Sequence, residues 1–211
     1  SVNLMKGYDM GLNYIIQGYD MGLNYIIQGI MYLEKLIELV PAPANPVGND
    51  DSSIVYKKLG IYLPEDYFNF LHVYGAGMFG NSLEVFSPFI KNPYMNFFNQ
   101  IVILRDSYNS MKQLWIGLNL SSVFPTGSGY PFDFYPAEGG LIPWGCIEGC
   151  GTFFYWKPNY SGWEIVAYND DEYQVFQMSM TEFIYNVFSS NIDFAGLSEI
   201  TKKDLCFTTC Q

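Results

Sequence analysis

The chain has 211 residues, of which 49% are hydrophobic and 15% charged, so it has enough apolar material for one packed domain and is not a disordered protein. Its 10 Lys and Arg residues are outnumbered by 21 Asp and Glu residues, and the net charge of −11 argues against binding to nucleic-acid phosphates. No apolar run approaches the roughly 18 residues that a membrane-spanning helix needs.

The N-terminal region contains an exact tandem repeat. Residues 7–17 read GYDMGLNYIIQ, and residues 18–28 repeat them. A period of 11 is close to three helical turns, so each copy leaves an amphipathic helical face nearly in register. The glycines within the copies disfavour a stable helix. We therefore predict that residues 1–29 form an N-terminal extension and that the first copy contributes little to the fold.

Helical patterns dominate the next part of the chain. The predicted helices cover residues 30–40, 53–59, 63–75 and 92–115. The third has the clearest end signals. Pro64 suits the first helical position, Glu65 and Asp66 suit the positive start of a helix, and Gly75 suits a left-handed stop.

The second half of the chain changes character and predicts strands. A short strand is expected at residues 83–86. Four further β-branched or aromatic runs predict an antiparallel meander: GLIPW, TFFYWK, WEIVAY and YQVF, which begin at Gly140, Thr152, Trp163 and Tyr173. Ser179 and Glu182 form a capping box that opens a final helix. Helices followed by strands and a closing helix indicate an α+β domain.

No motif in the chain supports catalysis. Residues 75–80 read GAGMFG and match G-x-G-x-x-G, but they follow a predicted helix, whereas a dinucleotide-binding turn follows a strand. The single histidine, His72, excludes multi-histidine metal sites, and no nucleophile elbow is present. Acidic residues are numerous, so a hydrolase with paired carboxylates stays open, although no pair stands out. We expect no enzymatic activity and no cofactor.

The four cysteines form two C-x3-C pairs, Cys146 with Cys150 and Cys206 with Cys210. This spacing permits a structural zinc site, but a chain with an ample core has little need of one, and free thiols in a reducing compartment are favoured. The chain shows no basic segment followed by an apolar run and a cleavage site. We therefore expect a cytoplasmic protein without a bound metal.

Three tryptophans, Trp144, Trp156 and Trp163, lie in the predicted strands among many tyrosines. Aromatic strand residues either pack the core of the sheet or form an exposed face that binds a sugar or a protein. Core packing is favoured here, and a carbohydrate-binding module stays an alternative.

Three segments, taken in order, resemble the motifs of one family. They are LGIYLPEDYFNFLHVYGAGMFG at residues 59–80, YPAEGGLIPWGCIEGCGTFFYW at residues 135–156, and the stretch from WEIVAYNDD to MTEFIYNVF at residues 163–188. The chain thereby resembles the SMI/KNR-like branch of the SUKH superfamily over residues 30–190. Residues 191–211 are expected to form a C-terminal tail.

The resemblance implies an α+β fold with helices packed on a twisted, mainly antiparallel sheet, and binding in place of catalysis. In bacteria the superfamily supplies immunity proteins of polymorphic toxin systems, and in fungi a regulator of cell-wall assembly. The motif residues are then mainly structural: Gly75, Gly77, Pro143, Trp144, Gly145, Trp156 and Trp163.

From the resemblance and the charge, we expect a cytoplasmic immunity protein that neutralises a cognate toxin, possibly a basic nuclease. Between Gln113 and Thr201, Lys157 is the only basic residue and ten residues are acidic, which suits a basic partner. The expected partner-binding residues are Glu138, Glu148, Asp170, Asp171 and Glu172. The alternative function is a regulatory adaptor that binds host proteins in signalling or cell-wall control.

Overall fold

A computed structural model of the protein describes residues 22–48, 51–118, 132–159, 162–169, 172–197 and 205–210. The helices among them are α1 (residues 22–39), α2 (Ser53–Leu59), α3 (Glu65–Val73), α4 (Phe97–Gly117) and α5 (Met180–Phe188). The strands are β1 (Gly77–Phe79), β2 (Leu83–Val85), β3 (Ile142–Ile147), β4 (Thr152–Asn159), β5 (Gly162–Asn169), β6 (Glu172–Phe176) and β7 (Phe207–Thr209). No described helix combines the length and the hydropathy needed to cross a lipid bilayer.

The strands form one antiparallel sheet in the order β6-β5-β4-β3-β2-β1-β7. The predicted α+β class is confirmed, and β3 to β6 form the meander that the sequence predicts. The sequence does not predict β1 and β7. β7 pairs with β1, and the Phe207 ring lies 4.8 Å from the Phe79 ring. Residues 207–209, expected in a tail, therefore complete one edge of the sheet.

The sheet separates two apolar layers of unequal size. Side chains alternate along a strand, so Phe154 and Trp156 of β4 face one side and Tyr155 faces the other. On the first side, which we call the inner face, Phe154 and Trp156 form the main core with residues of α1, α3 and α5. On the second side, the outer face, Tyr155 packs with Leu141 and Val166, and Leu104 of α4 packs against them.

Three helices meet at the buried carboxylate of Asp66. Its Oδ2 accepts a hydrogen bond from the Thr181 N–H at the start of α5, over 3.1 Å, where helix donors lack partners of their own. The Thr181 hydroxyl donates to the Gly29 carbonyl of α1, over 3.0 Å. A Cβ at Gly29 would lie 2.8 Å from the Asp66 Cβ. Helix α1 continues through residue 29 without a break. The boundary between the N-terminal extension at residues 1–29 and the domain at residues 30–190 stays a prediction.

Replacing Gly29 by alanine should destabilise the protein by about 2 kcal/mol, because the added methyl group overlaps the Asp66 side chain. A gain in helix propensity of about 1 kcal/mol is already included in this value. Gly22 is the matched control, since nothing lies within 4 Å of a Cβ there. Gly22→Ala should leave the stability unchanged or raise it by up to about 1 kcal/mol. Urea unfolding measures both variants, and equal effects would contradict the close helix contact.

Asp66 should also make stability depend on pH. Burial raises the pKa of its carboxyl to about 6, although hydrogen bonds from backbone N–H groups favour the charged form. The folded protein binds this proton more tightly than the unfolded chain does, so its stability increases as the pH falls through the raised pKa. This added stability is lost as the pH rises through the same value. From about pH 7.5 to about pH 5, the wild type should gain about 1 kcal/mol relative to Asp66→Asn. Urea unfolding at both pH values gives the comparison, and identical pH responses would refute it.

Candidate functional site

The tryptophans that the sequence singles out lie mainly in the core. Trp144 and Trp156 are fully buried, and their rings lie 6.2 Å apart. Trp156 also makes an edge contact with Tyr67, with ring centres 4.7 Å apart. Trp163 is half-buried. Trp144 and Trp156 therefore offer no surface to a ligand.

The glycines of the motif lie where two backbones approach closely. Gly75 has a φ of +74°, and a Cβ there would meet the Val47 backbone at 2.3 Å. A Cβ at Gly77 would lie 2.3 Å from the Thr208 carbonyl oxygen of β7, and one at Gly145 would lie 2.4 Å from the Glu84 carbonyl oxygen of β2. Pro143 is buried at the irregularity in the pairing of β3 with β4. These positions serve the assembly of the sheet.

The acidic residues expected to bind a partner are divided between the two ends of the sheet. Glu148 lies in the turn after β3, and Glu172 begins β6 opposite Asn169. Because Asn169 also pairs with Thr152 at the start of β4, Glu148 and Glu172 lie at the same end, and both are exposed. Glu138 is exposed at the opposite end, before β3. Asp170 and Asp171 lie outside the described residues.

A third carboxylate adds to the charge at the end that holds Glu148. The Cys146 thiol donates to Oε2 of Glu84 on β2, over 3.3 Å. Burial and the neighbouring Glu148 charge raise the pKa of Glu84, and burial together with the Glu84 charge raises the pKa of the Cys146 thiol. We call Glu84, Glu148 and Glu172 the acidic end. Negative charge concentrated in this way is stabilised when a positive group approaches.

An apolar cavity of about 210 Å³ opens between α4 and the outer face of the sheet. We call it the aromatic groove because six of its lining residues are aromatic: Tyr108, Phe132, Phe134, Phe153, Tyr155 and Tyr168. Leu104, Met111 and Leu141 complete its apolar walls. The Tyr108 hydroxyl donates to the Phe132 carbonyl over 2.7 Å, which fixes the segment before β3 against α4.

The aromatic groove lies beside the acidic end. Gly151, in the same turn as Glu148, lines the groove. Tyr173, next to Glu172, places its ring 5.0 Å from the ring of Phe132. The combination of an apolar pocket and a charged margin is typical of protein-binding surfaces, in which a buried anchor residue supplies most of the affinity.

Exposed apolar residues continue from the groove along α4. Met111 is 39% exposed, Leu114 52% and Leu118 59%. Their spacing of three and four residues places Met111 and Leu114 along one side of α4, and Leu118 follows directly after the helix. The sequence does not predict this site, because apolar residues on a helix predict core packing. The aromatic residues clustered at 132–135 are the sequence feature that could have indicated the aromatic groove.

The described residues show no constellation suited to catalysis by metal or histidine. His72 is exposed on α3. Within the described ranges, no three or more His, Cys, Asp or Glu side chains come together as a metal site. The four cysteines are free thiols, and β7 separates Cys206 from Cys210. The arrangement at the groove is suited to binding.

Comparison with known proteins identifies one family. The family model described as "SUKH_6: SMI1-KNR4 cell-wall" matches residues 50–184, which is more than half of the chain. No curated protein and no solved structure is significantly similar to the chain. The matched range includes α2 to α4, the sheet from β1 to β6, and the start of α5.

Proposed function

The chain belongs to the SUKH group of SMI1-KNR4 proteins, and we propose that it is a cytoplasmic immunity protein that binds and neutralises one cognate bacterial toxin domain. Members of this family are typically immunity proteins without catalytic activity. The observation that carries the proposal is the aromatic groove beside the acidic end. A basic toxin domain, such as a nuclease, is the partner that this surface fits.

The two parts of the surface have different roles in the proposed complex. An apolar side chain of the toxin enters the aromatic groove and supplies most of the affinity, since buried anchors dominate binding energies. Basic residues of the toxin approach the acidic end, which accelerates association more than it prolongs the complex. Covering the basic active site of the toxin in this way blocks its substrate.

Co-expression with a candidate toxin domain, taken from an open reading frame adjacent to the gene of this protein, tests this function. The wild-type protein should restore the growth of cells that produce the toxin domain and should co-purify with it as a stoichiometric complex. A catalytically inactive toxin domain should bind equally well, because the proposed surface recognises the fold of the toxin. Failure to protect the cells, with both proteins soluble and present, would reject the immunity function.

The alternative function is a regulatory adaptor that binds host proteins. The cell-wall description of the matched family favours it. An adaptor of this kind would bind a chromosomal host protein, and deleting its gene would change cell-wall sensitivity in cells that make no toxin. An immunity protein would show a deletion phenotype only in the presence of its toxin.

The acidic end should control the rate of association with the toxin. Replacing both Glu148 and Glu172 by glutamine should lower the association rate constant by on the order of tenfold at low salt and leave the dissociation rate nearly unchanged. Glu138→Gln is the control, because Glu138 is equally exposed but lies at the opposite end of the sheet. Stopped-flow or surface-plasmon-resonance kinetics at two ionic strengths give the rates. Equal effects of the double variant and the control would place the contact elsewhere.

A further inference from the structure

A second cavity lies on the other side of the sheet and has a different chemical character. It has a volume of about 200 Å³, and α1 meets the ends of β4 and β5 there. Its lining includes four side-chain amides and two aromatic rings, from Asn24, Gln28, Asn159, Gln177, Tyr25 and Trp163. No charged side chain is among the described residues that line it. We call it the amide pocket.

A buried carboxylate next to the amide pocket holds two of these amides in place. Glu164 is 8% exposed, and it accepts hydrogen bonds from the amides of Asn159 and Gln177 and from Lys157, whose Nζ is 3.1 Å from Oε2. These bonds outweigh burial and lower the pKa of Glu164, so the carboxylate stays charged. The Gln177 amide nitrogen donates to Glu164, which directs its carbonyl oxygen away from the carboxylate as an acceptor.

Two further amides of the pocket are available to a ligand. Asn24 and Gln28 are exposed one helical turn apart on α1, and the side-chain amide of neither makes a hydrogen bond to another described residue. Each amide presents donors and an acceptor close together. Trp163 is half-buried, so part of its indole ring is accessible beside them.

We propose that the amide pocket binds a neutral saccharide, with one pyranose ring against Trp163 and its hydroxyl groups hydrogen-bonded to Asn24, Gln28 and Gln177. Hydroxyl groups both donate and accept, as amides do, and the C–H face of a sugar ring suits an indole surface. An anionic ligand is disfavoured, because the described lining residues carry no positive charge and the chain carries a net charge of −11. This site is separate from the aromatic groove and does not depend on the proposed immunity function.

NMR titration of the amide side-chain and indole N–H signals tests the proposal. The probes are cellohexaose, maltohexaose and hexa-N-acetylchitohexaose, with hexagalacturonate as the acidic control and an end-blocked Gly-Asn-Gly peptide as the uncharged peptide control. One bound ring should give a dissociation constant of about 1 mM, so titrations extend to about 10 mM. At least one neutral hexasaccharide should shift the Trp163 indole signal and bind more tightly than both controls.

Variants on the exposed face of α1 then locate the site. The double variant with Asn24→Leu and Gln28→Leu should weaken binding at least tenfold, as expected for two lost hydrogen bonds. Gln113→Leu, at an exposed glutamine on the distant α4, should leave binding unchanged. The proposal is overturned if no neutral saccharide binds, if the acidic saccharide or the peptide binds more tightly, or if the double variant binds as well as the wild type.

Discussion

Replacing Trp156 by alanine should destabilise the protein by about 4 kcal/mol, which is a large part of the stability of a typical domain. Trp156 is fully buried, and its ring contacts Tyr67, Trp144 and Phe97. Its indole N–H has no hydrogen-bond partner among the described residues, so the loss comes from apolar packing and from the cavity that remains. Urea or thermal unfolding measures the effect.

A conservative variant separates this packing effect from a general intolerance of the site. Trp156→Phe retains an aromatic ring and should lose only about half as much stability. Trp163→Ala, at the half-buried tryptophan of the next strand, should also lose less than Trp156→Ala. If Trp156→Ala unfolds at the same denaturant concentration as the wild type, Trp156 has no structural role.

Replacing Met111 by arginine should weaken toxin binding at least 100-fold, or by about 3 kcal/mol. Met111 lines the aromatic groove and is 39% exposed, so the fold tolerates a longer side chain there. The arginine both obstructs the apolar pocket and places a positive charge opposite a basic partner. Isothermal titration calorimetry with the toxin domain gives the affinity.

Val102→Arg is the matched control for this variant. Val102 is 45% exposed on the same helix, and it does not line the groove. The Val102→Arg variant should bind the toxin with the same affinity as the wild type. Equal losses of affinity in both variants would indicate a general effect of charge on α4, and unchanged affinity in Met111→Arg would exclude the groove from the interface.

The sequence predicts most of the fold because local signals and packing agree there. The capping box is one example, since the Ser179 side chain accepts a hydrogen bond from the Glu182 N–H at the start of α5. The predicted start of α4 at residue 92 is wrong. The Asn96 side chain accepts hydrogen bonds from the Phe98 and Asn99 N–H groups, so the helix begins at Phe97.

The pairing of β1 with β7 and the candidate site depend on contacts between residues that are distant in sequence. β1 has three residues, and its pairing with β7 joins residues more than 120 positions apart, which no local pattern reveals. The aromatic groove likewise forms only when α4, the 132–134 segment and β4 and β5 come together. Glu148 and Glu172 were named from charge alone, and their position beside the groove follows from the antiparallel pairing of the strands.

Hydrogen–deuterium exchange of the protein with and without its toxin domain shows which surface the toxin covers. We expect slower exchange on binding in residues 104–112 of α4, in residues 132–135, and in the turn at 148–151. The edge strand at 207–209 should exchange at the same rate in both states. Protection confined to α1, α2 or that edge strand, with unchanged exchange around the aromatic groove, would contradict the claim that this surface binds the partner.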